Sequence, residues 1–303
     1  MVLNQQSPVD GESETIELPL ISPTKGSGHR SGVAEVEVRS FDAGGVPSLR
    51  TDSVAVEEPL EIVLEFGPSA QRIRRTASLT MRTPGNDDEL AAGFLFAEGV
   101  IRSGDDIQKI TPCGHPNAIR VEFQPELAVA FDGLERHFAT TSSCGVCGKT
   151  SLDALATRSS PLPNADRPFL SPTVVHRLPA ILRESQLTFD RTGGLHAAAL
   201  FDATGKLLGV REDVGRHNAV DKLIGAELLA GRLPLDDRVL LVSGRASFEL
   251  AQKALAAGIP ILAAVGAPSS LAVELATRFG LTLLGFVRDQ RFNVYAHPGR
   301  LLP

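Results

Sequence analysis

The chain of 303 residues contains no tryptophan, one tyrosine and three cysteines, and aromatic residues make up 5% of it. Aliphatic side chains must therefore supply most of the core packing, and stacking of nucleic acid bases on exposed aromatic rings is not expected. An excess of basic residues is also missing, since the formal net charge is -6 and the pI is about 5.7. A general nucleic acid binder needs a basic surface, so we predict no nucleic acid partner.

Long apolar runs are missing as well. No segment approaches the roughly 20 apolar residues that span a bilayer. The start, MVLNQQSPVDGESETIELPL, lacks the basic segment followed by an apolar segment that marks a secretory signal. We therefore expect a cytoplasmic protein without membrane insertion. An odd number of cysteines with one close pair fits a reducing compartment, in which thiols serve chemistry rather than cross-linking.

Composition divides the chain into three parts. Residues 1–35 are rich in Ser, Gly, Pro and Glu without periodicity, which predicts a flexible tail. Residues 36–150 contain strand patterns such as AEVEVRSF and AIRVEF and one helix pattern, DDELAAGFLFA, and predict a smaller α+β domain. After a boundary rich in Ser and Pro at 151–170, aliphatic strands alternate with helices. Residues 165–303 are therefore predicted to form an α/β domain with a covered, at least partly parallel sheet.

Two cysteines, Cys144 and Cys147, form a C-x-x-C pair within TTSSCGVCGK, whose other residues are mostly small, polar or cationic. This composition predicts an exposed loop in which backbone N–H groups and Lys149 favour a thiolate. A lone C-x-x-C fits half of a zinc site, a thioredoxin-like redox pair, or a reactive thiol with a neighbour. Zinc requires four ligands, and only Cys113 and seven scattered histidines remain, so we expect no bound metal.

Further polar segments follow predicted strands, where ligands bind in open α/β sheets. The segment Ser243-Gly244-Arg245 precedes one predicted helix, which starts near Ser247, and Ser269 and Ser270 precede another. Hydroxyls and backbone donors at these places suit a phosphate. The alternative is that Ser247, Ser269 and Ser270 only cap their helices.

Three more candidates carry charge or a histidine. The segment REDVGRHN, residues 211–218, is either a functional loop or a solvated turn in which His217 or Asn218 caps the next helix. His196 lies in the apolar stretch GGLHAAAL and fits a core histidine as well as a site residue. Arg288 and Arg291, which the pattern places after the last strand, are suited to bind an anion by bidentate hydrogen bonds, with a solvated edge as the alternative.

Several of these segments occur together in a fixed order: TTSSCGVCGK, GGLHAAAL, REDVGRHNAVDK, SGRASFELAQKALAAGIPILAAVGAPSSLAVELA and GFVRDQRFNVY. On them, and on RTPGNDDELAAGFLFAEG upstream, the chain closely resembles the formate dehydrogenase accessory sulfurtransferase family, FdhD, from about residue 35 to the C-terminus. The resemblance implies a cytidine deaminase-like fold for the second domain. Zinc deaminases use H-x-E followed later by P-C-x-x-C. Here the C-x-x-C comes before GGLHAAA and position 198 is alanine, so deaminase chemistry is not expected.

The same resemblance implies a function. It indicates a sulfur carrier that accepts persulfide sulfur from a cysteine desulfurase and passes it to molybdenum bis(molybdopterin guanine dinucleotide), before that cofactor enters formate dehydrogenase. It also implies a homodimer. The sulfur-bearing residue of the family falls on Cys144, with Cys147 in a supporting role. The nucleotide-cofactor segment falls on Phe286, Val287, Arg288, Asp289, Gln290 and Arg291.

Two alternatives belong to other functional classes. One is a chaperone that binds the molybdenum cofactor without any covalent sulfur step. The other is a thiol–disulfide oxidoreductase, which the Ser and Gly residues flanking the C-x-x-C disfavour because they do not resemble the strand and helix that frame a redox pair.

Overall fold

The computed structural model describes residues 32–127, 162–163, 169–288 and 290–303. The predicted tail falls mostly outside these ranges, and the first strand begins at Val33. The predicted domain limits, 36–150 and 165–303, stay predictions. Within the described ranges, no helix is both long and apolar enough to cross a membrane.

The N-terminal part consists of a ribbon and a sheet. The ribbon pairs β1 (Val33–Phe41) with β2 (Pro47–Ala55) in antiparallel fashion. The sheet has the order β4-β3-β6-β5, with β3 (Glu58–Phe66), β4 (Ile73–Arg82), β5 (Ile107–Pro112) and β6 (Ala118–Phe123). A short 3-10 helix, Gly104–Asp106, precedes β5. In β3, Leu60, Ile62 and Leu64 are buried because alternate strand residues share one face.

That buried face packs against helix α1 (Asp87–Ala97), whose Leu90 and Leu95 belong to the same core cluster. The first turn of the helix consists of acidic residues, which the positive end of the helix dipole stabilises. The predicted helix is confirmed.

The C-terminal part is built on a six-stranded sheet with the order β12-β11-β10-β9-β7-β8. Its strands are β7 (His196–Phe201), β8 (Leu207–Asp213), β9 (Val239–Val242), β10 (Ile261–Ala264), β11 (Thr282–Arg288) and β12 (Arg291–Ala296). Strands β9, β10 and β11 are parallel, whereas β7 runs antiparallel to β9 and to β8, and β12 runs antiparallel to β11. The runs VLLV and ILAA are buried throughout, as expected for strands covered on both faces.

Helices cover both faces of this sheet. One face packs against α4 (Arg216–Leu229), α5 (Phe248–Ala256) and α6 (Ser270–Phe279). The other packs against α2 (Pro172–Glu184), which is followed by the short α3 (Leu187–Thr192). A 3-10 helix, Pro298–Arg300, lies near the end of the chain. The architecture agrees with the predicted fold class, a cytidine deaminase-like α/β domain preceded by a smaller α+β domain.

One predicted element is wrong. The pattern VVHRLPAILRESQLTF predicts one helix over residues 174–189, but the structure has α2 and α3. The carboxylate of Glu212 accepts hydrogen bonds from the N–H groups of Thr188 (2.9 Å) and Phe189 (2.8 Å). This contact caps a new helix start, and Glu212 lies too far along the chain for local periodicity to reveal it.

The two parts are joined by very close packing of α1 on α4. A Cβ atom placed on Gly225 would lie 1.9 Å from the carbonyl oxygen of Glu89, and one placed on Gly93 would lie 1.9 Å from that of Asp221. The two helix backbones are therefore in direct contact, and only glycine fits at these two positions.

Candidate functional site

The carboxyl ends of β9, β10 and β11 meet at one edge of the C-terminal sheet, and the antiparallel β7 begins at that edge with His196. Ser243 connects β9 to the start of β7 by two hydrogen bonds. Its hydroxyl accepts a hydrogen bond from the N–H of Ala197 (2.9 Å), and its own N–H donates to the Ala197 carbonyl (2.9 Å). These bonds place His196 beside Gly244.

Backbone hydrogen bonds continue across the next two strands. The N–H of Gly266 donates to the carbonyl of Gly244 (3.0 Å), and the N–H of Phe286 donates to the carbonyl of Gly266 (3.0 Å). His196, Gly244, Gly266 and Phe286 therefore form a row across four neighbouring strands, which we call the edge row.

Three members of the edge row, His196, Gly244 and Gly266, belong to the face of the sheet that α4, α5 and α6 cover. Ala198, Val242 and Ala264 lie two residues further into their strands and pack beneath these helices. Because alternate strand residues share a face, His196, Gly244 and Gly266 project toward the same side. The N-terminal ends of α4 and α5 follow this edge, where unpaired N–H groups and the helix dipoles favour an anion.

Phe286 has a backbone φ of 53°, a left-handed conformation that is uncommon for a bulky residue. It lies in a β-bulge, because the pairing of β11 with β12 shifts register between Gly285 and Arg288. Bulges of this kind redirect side chains at sheet edges and next to active sites. Left-handed strain at a non-glycine residue costs about 1–3 kcal/mol, so the surrounding structure must hold Phe286 in place.

The predicted cofactor segment therefore closes a hairpin. Arg288 ends β11 and pairs with Arg291, the first residue of β12, so the expectation that both follow the last strand is wrong. Arg288, Gln290 and Arg291 are exposed, and Phe286 is partly exposed. Val287 is buried in the core cluster that includes α2. Asp289 lies outside the described residues, as do Cys144 and Cys147.

The segment 211–218 is a fixed structural loop at its centre, where Asp213 is fully buried. One carboxylate oxygen of Asp213 accepts hydrogen bonds from the N–H of Gly215 (2.8 Å) and the amide of Asn218 (3.0 Å). The other accepts from the N–H of Thr83 (3.2 Å) and forms an ion pair with Lys222 (2.7 Å). The alternative of a solvated turn is therefore wrong for this carboxylate, which ties α4 to the end of β4.

Other residues of this segment also have structural partners. Arg211 binds the carboxylate of Glu89 on α1 (2.6 Å), and this hydrogen bond, opposed by burial, raises the pKa of Arg211. Glu212 caps α3, as described above. Gly215, and neither His217 nor Asn218, occupies the N-cap position of α4. The loop thus delivers Arg216 and His217 to the first turn of that helix.

His217 contacts two groups at the start of α5. Its Nε2 atom lies 2.8 Å from the carboxylate of Glu249 and 3.3 Å from the hydroxyl of Ser247. The hydrogen bond from His217 lowers the pKa of Glu249, against the opposing effect of burial. Ser247 occupies the N-cap position of α5, but its hydroxyl makes no capping hydrogen bond.

The capping alternative for the serines is confirmed only in part. Ser269 caps α6, because its hydroxyl accepts a hydrogen bond from the N–H of Ala272 (3.2 Å). Ser270 is the first helical residue rather than the cap. The hydroxyls of Ser243 and Ser247 are used instead to position β7 and His217.

His196 is partly buried at the end of the edge row. Burial lowers its pKa, and electrostatic interactions with Arg216 and His217 lower the pKa further, whereas Asp213 has the opposite effect. The imidazole is therefore predominantly neutral near pH 7. Within the described part of the chain, no hydrogen bond involves its ring nitrogens.

Four arginines lie at or near the edge row. Some arginines elsewhere in the fold bind carboxylates, as Arg82 binds Asp87 and Arg232 binds Glu227. Among the described residues, no ion pair involves the guanidinium groups of four arginines that lie at or near the edge row: Arg216, Arg245, Arg288 and Arg291. Together with the helix N-termini, these groups make the edge attractive to an anionic ligand.

The sequence pattern identified the hairpin arginines, included Arg216 only as part of the candidate segment 211–218, and left His196 undecided. The missing information is topological. A strand pattern does not show that β7 runs antiparallel to β9, and only this direction brings His196 beside Gly244.

A comparison with models of protein families shows which family this chain is related to. The model described as the FdhD/NarQ family matches residues 55–302. The chain belongs to the FdhD/NarQ family. This confirms the resemblance read from the sequence motifs.

Curated relatives and a solved structure agree with it. A protein named sulfur carrier protein FdhD from Streptomyces avermitilis is 53% identical over 266 residues, 85% of this chain and 92% of the relative. A protein of the same name from Mycobacterium tuberculosis is 48% identical over 279 residues, 88% of this chain and 98% of the relative. The crystal structure of a protein described as a formate dehydrogenase accessory protein, from Desulfotalea psychrophila, matches with a TM-score of 0.71 and 28% identity. The match covers 90% of this chain and 100% of that one.

Proposed function

We propose that this protein is a cytoplasmic sulfur carrier required for formate dehydrogenase activity. It accepts sulfur from a cysteine desulfurase as a persulfide on Cys144 and transfers that sulfur to bound molybdenum bis(molybdopterin guanine dinucleotide), the substrate of the reaction. The observation that carries the proposal is family membership over residues 55–302, together with relatives named sulfur carrier proteins. We further propose that the protein acts as a homodimer.

The chemistry of loading follows the rules of thiol exchange. The thiolate of Cys144 attacks the outer sulfur of the donor persulfide, the donor S–S bond breaks, and the donor cysteine leaves as a thiolate. Cys144 then carries the outer sulfur. This sulfur leaves either as a neutral atom, to an acceptor that provides two electrons, or as sulfide when Cys147 forms a disulfide with Cys144.

The edge row and the neighbouring hairpin support the binding of an anionic nucleotide cofactor. Arg288 and Arg291 are exposed at the end of the hairpin, and guanidinium groups are suited to bind phosphate oxygens. We assign the cofactor to residues Phe286–Arg291, with contacts from the side chains of Phe286, Arg288 and Arg291. The chaperone alternative shares this surface and differs only in having no covalent step at Cys144.

A complementation assay tests the covalent step. A bacterial strain that lacks its own copy of this protein is supplied with either the parent chain or the Cys144→Ala variant, and formate dehydrogenase activity is measured. We expect the variant to restore less than about 1% of the parent activity, because alanine cannot carry sulfur. A Cys113→Ala variant serves as the matched control and is expected to restore full activity.

Activity restored by Cys144→Ala at the parent level would reject the sulfur carrier proposal in favour of the chaperone. Comparable protein levels of both variants must be verified by immunoblotting, so that a loss of activity reports chemistry rather than folding.

A further inference from the structure

We infer that the ribbon formed by β1 and β2 is an interaction surface for a second copy of this chain, and that two copies pair their β2 strands in antiparallel fashion around Thr51. The residues that the family model matches begin at residue 55, the last residue of β2, so family membership assigns no role to the ribbon. Of the proposed function, the inference rests only on the homodimer, to which it assigns a contact surface.

The ribbon stands apart from the two larger sheets. Among the described residues, β1 and β2 pair only with each other. The base of the ribbon packs on the rest of the fold, since Val33 and Ala34 are buried. Residues 41–51, by contrast, are exposed throughout. A ribbon of two strands is only marginally stable in water, and a half-exposed strand such as β2 offers an edge to which another strand can be added.

The exposed half of the ribbon carries apolar side chains together with both signs of charge. Phe41, Val46 and Leu49 are exposed by 66%, 66% and 74%. Arg50 and Asp52 form an ion pair of 3.5 Å within β2, with side chains that are 59% and 47% exposed. Such an exposed pair contributes little to the stability of the fold. Apolar groups beside balanced charges suit contact with another protein surface.

The charges select the second copy as the partner and set the register. When two identical antiparallel strands pair around a twofold axis, one residue must lie opposite its own copy, because directly opposite residues share a face of the sheet. Pairing around Arg50 would place two arginines opposite each other, and pairing around Asp52 would oppose two aspartates, which is unfavourable. Pairing around Thr51 places Arg50 of each copy opposite Asp52 of the other, so that two favourable pairs form.

The same register also matches apolar residues. It places Val46 of one copy opposite Val56 of the other, one residue beyond β2. Val56 continues the extended ribbon, since its N–H donates to the carbonyl of Gly32 (2.9 Å). The two ribbons together then form a sheet of four strands, β1-β2-β2-β1, which removes both β2 edges from water.

Disulfide cross-linking tests the predicted register. The full-length chain with Cys113, Cys144 and Cys147 replaced by alanine receives Thr51→Cys and is oxidised mildly in air. Because directly opposite Cα atoms in an antiparallel pair lie about 4.5–5.5 Å apart, within the range of a disulfide, we expect more than about half of the chains to form a linked dimer.

Glu37→Cys in the same background is the matched control. Glu37 is exposed and lies opposite Thr51 within the ribbon, on the strand away from the twofold axis. Its two copies would be about 14 Å apart, three strand spacings, and this distance exceeds the reach of a disulfide. We expect less than about a tenth of these chains to be linked.

Charge variants test the self-complementary pairing independently. Sedimentation equilibrium of the reduced full-length protein measures association. Arg50→Asp and Asp52→Arg should each weaken self-association at least about fivefold, because each change places like charges opposite each other. The double variant Arg50→Asp, Asp52→Arg should associate as the parent does, and an equimolar mixture of the two single variants should form a heavier species than either variant alone.

The inference is overturned if Thr51→Cys is linked no more than Glu37→Cys, or if the mixture is no heavier than the separate single variants. A dimer that persists unchanged in both single variants would place the homodimer contact elsewhere and would also overturn the ribbon contact. The cross-linked chains lack Cys144, so failure of the ribbon contact and failure of the sulfur carrier proposal are distinguishable.

Discussion

Asp213 is a buried residue that fixes the loop before Arg216 without belonging to the edge row. Its buried carboxylate binds Thr83, directly after β4, Gly215 in the loop before α4, and Asn218 and Lys222 on α4 itself. We predict that Asp213→Asn lowers the free energy of unfolding by about 3–5 kcal/mol, because it removes the partner of a buried lysine. Urea denaturation of parent and variant measures this difference.

Asp237→Asn is the matched control, because the ion pair of Asp237 with Arg238 is largely exposed and should contribute little. If Asp213→Asn were as stable as this control, the buried network would not be what fixes the loop before Arg216.

His196 predicts a pH dependence of stability. Its pKa in the folded protein is lowered from the ordinary value of 6.5, so between the two values the unfolded chain binds more protons than the folded one. The contribution of His196 to stability is therefore complete above pH 6.5 and is lost as the pH falls toward its folded pKa.

We predict that His196→Gln unfolds with a weaker dependence on pH than the parent between about pH 7 and pH 5. Urea unfolding at several pH values, monitored by circular dichroism, checks this. Identical pH dependence in both proteins would show that the His196 imidazole titrates as freely in the folded state as in the unfolded one.

For single residues, the sequence predicts which residue types suit a binding site, but it does not predict which other residues they contact. Arg288 and Arg291 were identified because arginine pairs suit anions, and the structure leaves both exposed. The burial of Asp213 was missed, since it depends on Thr83 and Lys222, which come from separate elements.

The contact between helices α1 and α4 requires glycine at positions 93 and 225. Alanine at position 225 should improve the intrinsic helix propensity by about 1 kcal/mol, yet its Cβ atom would overlap the carbonyl oxygen of Glu89. We predict that Gly225→Ala lowers the free energy of unfolding by about 3 kcal/mol, because two backbones must separate.

Thermal or urea unfolding of Gly225→Ala, beside Gly194→Ala as control, measures this effect. A Gly225→Ala protein more stable than the parent would mean that helix propensity outweighs the clash, and the close contact between α1 and α4 would then be refuted.

Sequence periodicity predicted most elements of the described chain, because buried strands such as VLLV and amphipathic helices leave strong local patterns. It failed where a distant group decides the outcome. Glu212 divides the predicted helix over 174–189, and LTLLGFVRDQRFNVY forms two paired strands, because β11 ends at Arg288 and β12 begins at Arg291.

For the whole molecule, the edge row depends on the order and direction of four strands from distant parts of the sequence. The α/β class was predictable from the alternation of strands and helices, and the family from its motifs. The position of His196 beside Gly244 was not, because it requires β7 to run antiparallel to β9. The site is therefore a property of the assembled sheet rather than of any one motif.

Mass spectrometry of the protein after incubation with a cysteine desulfurase and cysteine shows whether Cys144 carries transferable sulfur. We predict an increase of about 32 Da, one sulfur atom, on the peptide that contains Cys144, reversed by a reductant and missing in Cys144→Ala. An unchanged mass of this peptide, with the desulfurase shown to be active, would mean that Cys144 does not carry sulfur.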